Sequence, residues 1–281
     1  MIIAILALLG LVFGSFVNAF VWRLREQELL FEKKKKPTKK QLLKFSILQG
    51  RSMCPHCEHE LAAKDLVPVL SWLSLKGKCR YCAKPISWQY PAVELATAAL
   101  FVVSYLFWPT AITGFEWQHF VVWLGFLVMF MALAVYDLRW FLLPDRIVYP
   151  LISVAALETV ILAIHGHQAS LLLWPALGAL VIAGTFWVLF QVSAGNWIGG
   201  GDVKLGVVLG LWASGARMAL LVIFFASLIG TVFSLPMLVK SKSAMKLRVP
   251  FGPFLLAATI VVVLFGMHLI NWYTQRLLGR Y

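Results

Sequence analysis

Charge is scarce in this chain of 281 residues: 13% is Asp, Glu, Lys or Arg, against 61% hydrophobic. Soluble domains carry about 25% charged and about 45–50% apolar residues, so composition excludes an ordinary soluble domain. Acidic residues are the scarcest, 12 against 25 Lys and Arg. No basic residue precedes the apolar stretch 2–22; the first is Arg23. That order, and a run longer than the roughly 7–15 residues of a secretory core segment, lead one to expect a membrane span rather than a cleaved export signal. Cysteine is absent outside positions 54–82. The basic stretch that follows Arg23 has no recognition fold with stacking aromatics, so the net charge of +13 does not point to nucleic acid.

What is present is a series of apolar blocks near the ~20 residues that cross hydrocarbon. The pattern predicts an all-α polytopic membrane protein with eight spans, near residues 2–22, 92–108, 120–136, 147–164, 171–192, 203–212, 218–239 and 251–272. Of the 25 Lys and Arg, 15 lie between Arg23 and Lys84. Alternating the spans puts these on one side with Arg139, Arg146, Lys204, Lys240, Lys242, Lys246 and Arg248, and leaves Arg217, Arg276 and Arg280 opposite. By the positive-inside rule the larger set is cytoplasmic and the N-terminus outside. Deleting the short sixth span would move the 240–248 cluster outside, so eight spans fit better than seven. The expected division is a first span at 1–22, a basic cytoplasmic region at 23–90 and a seven-helix membrane domain at 91–281. The run of lysines within 31–44 reads as a solvated segment touching anionic lipid.

The four cysteines form Cys54-Pro-His-Cys57 and Cys79-Arg-Tyr-Cys82. Two C-x-x-C pairs at this separation match a Cys₄ zinc ribbon inserted between the first and second spans. Four thiolates close the tetrahedron and leave no site for water, so the expected zinc is structural. A reducing cytoplasm disfavours disulfides, and His56 and His59 read as bystanders.

After Glu94 only five acids follow: Glu116, Asp137, Asp145, Glu158 and Asp202. Ionisable groups in or beside spans are functional candidates. Asp137 ends the third expected span. Asp202 follows Gly199-Gly200-Gly201 and opens the sixth, so both lie at one depth although 65 residues apart. Two carboxyls at close range cannot both ionise, and that supplies a base and an acid together. The alternative is two interfacial aspartates, with Asp202 capping a helix. Asp145, after Pro144, reads as a helix start. Glu116 falls in an outside loop, and Glu158 lies inside the fourth span with no assigned role.

The motifs Gly14-Ser15-Phe16-Val17-Asn18, Arg23-Leu24, Arg51-Ser52-Met53-Cys54-Pro55-His56-Cys57, Gly77-Lys78-Cys79-Arg80-Tyr81-Cys82, Ile86-Ser87, Tyr90-Pro91 and Glu94 stand in that order. The segment from Asp137 to Asp145, Gly199-Gly200-Gly201-Asp202-Val203-Lys204-Leu205 and Pro250-Phe251-Gly252-Pro253 follow. Together they resemble the type IV prepilin leader peptidases, GxGD aspartyl proteases that also serve type II secretion pseudopilins. The resemblance implies catalysis by Asp137 and Asp202, with Gly199, Gly201, Lys204, Pro144 and Asp145 in the active-site loops and Cys54, Cys57, Cys79 and Cys82 on zinc. It implies prepilin or pseudopilin substrates cut after a glycine at the cytoplasmic face. It also implies methylation of the new N-terminus from S-adenosylmethionine, although no glycine-rich nucleotide fingerprint follows a strand. Where family members commonly continue Arg-Leu-Pro into a short connection, Arg23-Leu24 here leads to Arg25 and the lysine-rich insertion. The competing classes are an ion-coupled transporter using the same aspartates, a non-catalytic zinc-stabilised assembly scaffold, and a presenilin-like protease. Absence of an inverted repeat disfavours the first. Oligomeric state is not specified.

Overall fold

A computed structural model of the chain describes residues 1–32, 37–47, 49–168, 170–240, 249–277 and 279. Lys33 to Lys36 of the insertion, and Lys242, Lys246, Arg248 and Arg280 of the charge count, lie outside the described residues. Ten α-helices are described: α1 (Ile2–Glu32), α2 (Lys39–Lys44), α3 (Leu70–Ser74), α4 (Gln89–Leu106), α5 (Glu116–Trp140), α6 (Asp145–His165), α7 (Ser170–Val192), α8 (Gly200–Ala213), α9 (Ala216–Lys240) and α10 (Gly252–Leu277). A helix covers each apolar block. Six of them are long and apolar enough to cross a membrane: α1, α5, α6, α7, α9 and α10. The remaining two, α4 and α8, fall short for different reasons. Polar Gln89, Tyr90 and Glu94 dilute α4, whereas α8 has only 14 residues, about 21 Å at 1.5 Å per residue.

Two compact units are present. The first comprises Met1–Leu106 with Val121–Ala132 of α5. Its frame is an antiparallel pair, α1 with α4. A Cβ on Gly14 would lie 2.5 Å from the Glu94 Cα, Gly10 faces the Ala98 backbone as tightly, and Asn18 Nδ2 donates to the Tyr90 carbonyl at 3.1 Å. Each four-residue step along α1 therefore matches a four-residue step back along α4. Small residues at helical spacing let the backbones approach. Past its apolar stretch α1 continues to Glu32, further than the expected span. Arg23 there is buried and donates to the Ser46 and Ile47 carbonyls at 3.3 and 3.0 Å, while Gln27 donates to Phe45 O at 2.7 Å. The connection from α1 to α4 thus folds back on the end of α1.

The second unit comprises Phe107–Phe120 and Leu133–Tyr281. Short α8 packs against α7 through glycines: a Cβ on Gly206 would lie 3.2 Å from the Ala183 Cα, and Gly210 and Gly178 abut each other's carbonyl oxygen. Glu158, left without a role by sequence, accepts or shares a proton with His119 Nδ1 at 2.8 Å, and the His119 ring stacks on Trp212 of α8 at 5.0 Å. This cluster joins α5, α6 and α8 near the end of α5 remote from Asp137. Glu158→Leu strands a half-buried imidazole, so thermal stability in detergent is expected to fall by about 1–2 kcal/mol. An unchanged melting temperature would contradict that role.

Candidate active site and metal centre

α5 runs through Asp137 and stops one turn later because Phe141 adopts a left-handed conformation (φ 55°), its N–H donating to the Asp137 carbonyl at 2.8 Å. Leu142, Leu143 and Pro144 then turn the chain into α6. Pro144 fits the α6 N-cap, where its missing N–H leaves nothing unsatisfied. Asp202 sits in the first turn of α8, and its backbone N–H donates to the Gly199 carbonyl at 3.1 Å.

The surroundings of the two aspartates converge on one side chain. A Cβ placed on Gly201 would lie 3.0 Å from Leu143 Cβ, and one on Gly252 would lie 3.5 Å from Leu143 Cδ2 and only 2.6 Å from Asp137 Oδ2. The Gly252 N–H donates to that same Oδ2 at 3.1 Å, a buried bond between residues 115 apart in sequence. Leu143 is therefore the shared wall between Gly252, which holds Asp137, and Gly201, which precedes Asp202. Asp202 lies within electrostatic reach of Asp137. Asp137 is buried and Asp202 half-buried. The α5 end, the α5–α6 turn and the N-termini of α8 and α10 thus form one corner.

Asp145 and Lys204 occupy its rim. Lys204 Nζ donates to both Asp145 carboxylate oxygens, at 2.7 and 2.9 Å, and lies 5.1 Å from the Tyr149 ring centroid. Asp145 is exposed and neutralised by this cation, a different setting from Asp137. Gly199 lies beside the Asp202 carboxylate, with its Cβ position 3.5 Å from Oδ2. The sequence motifs had grouped Asp137, Asp202, Gly199, Gly201, Pro144, Asp145 and Lys204. Sequence reasoning quoted Gly252 without a role and passed over Leu143. The usable signal was a glycine flanked by Phe251 and Pro253 at a helix start, where a bare backbone N–H is available to an anion.

The four cysteines are all unoxidised, and their sulfurs lie within 4.8 Å of one another. Cys54 and Cys82 Sγ are 3.9 Å apart, against about 3.8 Å for two thiolates on one tetrahedral zinc at 2.3 Å bonds. The two halves repeat one design. The Cys54 N–H donates to His59 O and Glu58 N–H to Cys54 O; likewise Cys79 N–H to Lys84 O and Ala83 N–H to Cys79 O, all at 2.9–3.0 Å. Glu58 and Ala83 both take φ of 57°, and single antiparallel bridges, Met53 with Glu60 and Lys78 with Pro85, close each turn. Burial acts to raise the Cys79 thiol, but the backbone N–H groups of Cys82 and Tyr81 together with the Cys54 and Cys82 thiols outweigh it and bring the group down to about 7. The donor set fits a tetrahedral metal. His59 instead stacks on Tyr81, with ring centroids 3.7 Å apart.

Comparison with known proteins decides the family. The description "Bacterial Peptidase A24 N-terminal domain" matches residues 8–108, and "Type IV leader peptidase family" matches residues 123–235. The chain belongs to the type IV leader peptidase family. It is similar to the prepilin leader peptidase/N-methyltransferase of Stutzerimonas stutzeri, 34% identical over 95% of this chain and 92% of that one. The protein of the same description from Bacillus subtilis (strain 168) is 31% identical over 99% and 100%. That from Pseudomonas aeruginosa is 34% identical over 95% and 92%. No solved structure matches. Family membership covers both the cysteine-bearing and the aspartate-bearing parts, and the chain is a multi-pass membrane protein.

Proposed function

We propose that this protein is an aspartyl endopeptidase that removes the basic leader from type IV prepilins or type II secretion pseudopilins at the cytoplasmic membrane face, and methylates the new N-terminus. The carrying observation is the corner around Leu143, to which Asp137 and Asp202 both belong. The two carboxyls hold one proton between them, because a second negative charge at close range is unfavourable. The ionised member takes a proton from water, whose oxygen attacks the scissile carbonyl carbon. The protonated member donates to the carbonyl oxygen. Collapse of the tetrahedral intermediate breaks the C–N bond, and the proton taken from water passes to the departing amine. As the carbonyl re-forms, a hydroxyl of the intermediate returns its proton to the carboxylate that acted as the acid, so the pair is left with one proton again. Gly252 N–H fixes Asp137 Oδ2 throughout, and Gly199 and Gly201 keep side chains away from the approaching substrate strand. The Lys204–Asp145 pair keeps the third carboxylate out of the proton exchange.

The topology that suits this chemistry has eight crossings, with α4 and α8 as the two shorter ones. The N-terminus is then outside and the aspartates at the cytoplasmic ends of α5 and α8, with residues 1–22, 23–90 and 91–281 as the functional divisions. Water reaches such a depth without a dedicated channel. Substrate, itself a hydrophobic helix with a basic leader, arrives by lateral diffusion. Zinc, when bound by Cys54, Cys57, Cys79 and Cys82, supplies a structural cross-link and no open position for chemistry. Methyl transfer rests on the relatives' shared description. For S-adenosylmethionine the described residues offer no strand-to-helix glycine turn of the kind that binds a nucleotide.

Mass spectrometry of a co-expressed prepilin tests this reading. The expected product lacks the leader and carries one added methyl group; an uncut prepilin would contradict it. Gly252→Ala supplies a sharper check. Its Cβ would fall 2.6 Å from Asp137 Oδ2, and misplacement of a reacting group on this scale costs about 10²-fold. The loss is expected in kcat with KM little changed. A wild-type kcat would contradict the role of that contact. The transporter reading is not favoured, since both carboxylates stand at helix ends rather than mid-helix.

A further inference from the structure

Segment 66–75, Leu-Val-Pro-Val-Leu-Ser-Trp-Leu-Ser-Leu, has no charged residue, yet lies between the two cysteine pairs and between Lys64 and Asp65 on one side and Lys76 on the other. It includes α3. Leu66, Val67, Leu70 and Leu73 are exposed, Leu70 to 65%. In a water-facing zinc domain, four neighbouring exposed aliphatic side chains have no evident function.

Their depth follows from the α1–α4 register. Glu94 is level with Gly14, and position 14 precedes Arg23, the first charge of α1, by nine residues, about 13 Å along the helix. Glu94 Oε2 accepts the Val69 N–H at 2.7 Å. Three carbon–carbon bonds cannot carry a carboxylate back to the level of Arg23. The start of α3 therefore lies on the apolar side of Arg23, beside two helices that cross or enter the bilayer. Val69 is also the centre of a tight γ-turn (φ 61°, ψ −51°), with Leu70 N–H donating to Pro68 O at 2.5 Å. Such turns are strained and persist where surroundings impose them. An irregular turn at hydrocarbon depth needs its N–H satisfied by protein, and Glu94 does that.

The return path is pinned as well. Trp72 Nε1 donates to Ile86 O at 3.1 Å, and its ring covers Gly77 (φ 68°), where a Cβ would lie 3.0 Å from Cζ2. Trp88, 74% exposed, stands immediately before α4, as interfacial tryptophans do. Lys64, Lys76 and Lys78 are exposed at the rims of the segment, within reach of anionic headgroups.

We propose that residues 66–75 form a lipid-inserted element: Leu66, Val67, Leu70 and Leu73 lie among the acyl chains of the leaflet that α1 leaves at Arg23, with the rim lysines at the phosphates. The cysteine-bearing region is then seated in the membrane surface, and Glu94 is its anchor. The occupant is lipid, because the exposed face is continuous in depth with the spanning part of α1 and is framed by cations. This rests on α1 as a span and is independent of peptidase activity.

The test uses the full chain with a fluorescent non-canonical amino acid at position 70 or 73, and at exposed Glu60 as a control. The protein is reconstituted in phosphatidylethanolamine–phosphatidylglycerol vesicles, and retained zinc shows that the labelled chains are folded. Labels at 70 and 73 are expected to be quenched severalfold more by lipids bearing a nitroxide on the acyl chain than by aqueous iodide, with the order reversed at 60. Iodide quenching at 70 and 73 equal to that at 60 would overturn the proposal. So would insensitivity to both quenchers, which would mean that protein, such as a second copy of the chain, covers the face.

Discussion

Asp202→Asn is expected to lower the rate of leader removal by at least about 10³-fold, the upper part of the range for removing a general acid or base. Asp137→Asn is expected to do the same, whereas Asp145→Asn is expected to lower it less than about tenfold. The distinction follows from the surroundings rather than from residue type. Asp137 is buried and receives a backbone N–H from Gly252, and Asp202 lies within its field beside Gly199 and Gly201. An amide at either position has nearly the same volume, so the corner around Leu143 stays packed while the shared proton is lost. Asp145 already has its charge matched by Lys204 outside that corner. Single-turnover cleavage of a purified prepilin, read by mass, measures all three. A severe loss in Asp145→Asn with a mild one in Asp137→Asn would reassign the pair.

The second large effect is on the metal. Cys54→Ser is expected to leave the chain without bound zinc after purification. Cys54 is buried and its sulfur lies at the spacing of a common tetrahedron. A Cys₄ site contributes about 10–16 kcal/mol of apparent binding energy at neutral pH. This region has no sheet to fall back on, only two isolated bridges among the described residues. Amide protection between residues 54 and 85 is therefore expected to vanish, while the helical signal of the six long apolar helices persists. Elemental analysis and hydrogen exchange check both halves. Full zinc content in Cys54→Ser would remove this cysteine from the site. Cleavage that survives loss of zinc agrees with a structural metal; abolished cleavage agrees with one that also supports substrate docking.

Sequence was most legible where residue types are rare. With five acids after Glu94, the shared depth of Asp137 and Asp202 made them candidates, and the motif resemblance, not depth, preferred them over two interfacial aspartates. The cysteine spacing was equally readable, because a tight C-x-x-C turn leaves few alternatives. Helix positions followed from hydrophobic blocks, and the ends were missed where continuation depends on tertiary partners. α1 runs on to Glu32 because Arg23 and Gln27 find carbonyls in the returning chain. The long-range contacts were not legible. Gly252 meets Asp137 across 115 residues, Glu94 meets Val69 across 25, and His119 meets Glu158 across 39. Each joins residues common enough that only the fold distinguishes the pair from its alternatives.

The measurement closest to the central claim is a four-way comparison of leader removal by the unsubstituted protein, Asp137→Asn, Asp202→Asn and the double variant, all at matched zinc content. If the two carboxyls act as one unit around one water, both single variants and the double variant fall to a common floor. A single variant cutting at the unsubstituted rate, or a double variant slower by the product of two partial losses, would contradict the shared-proton pair.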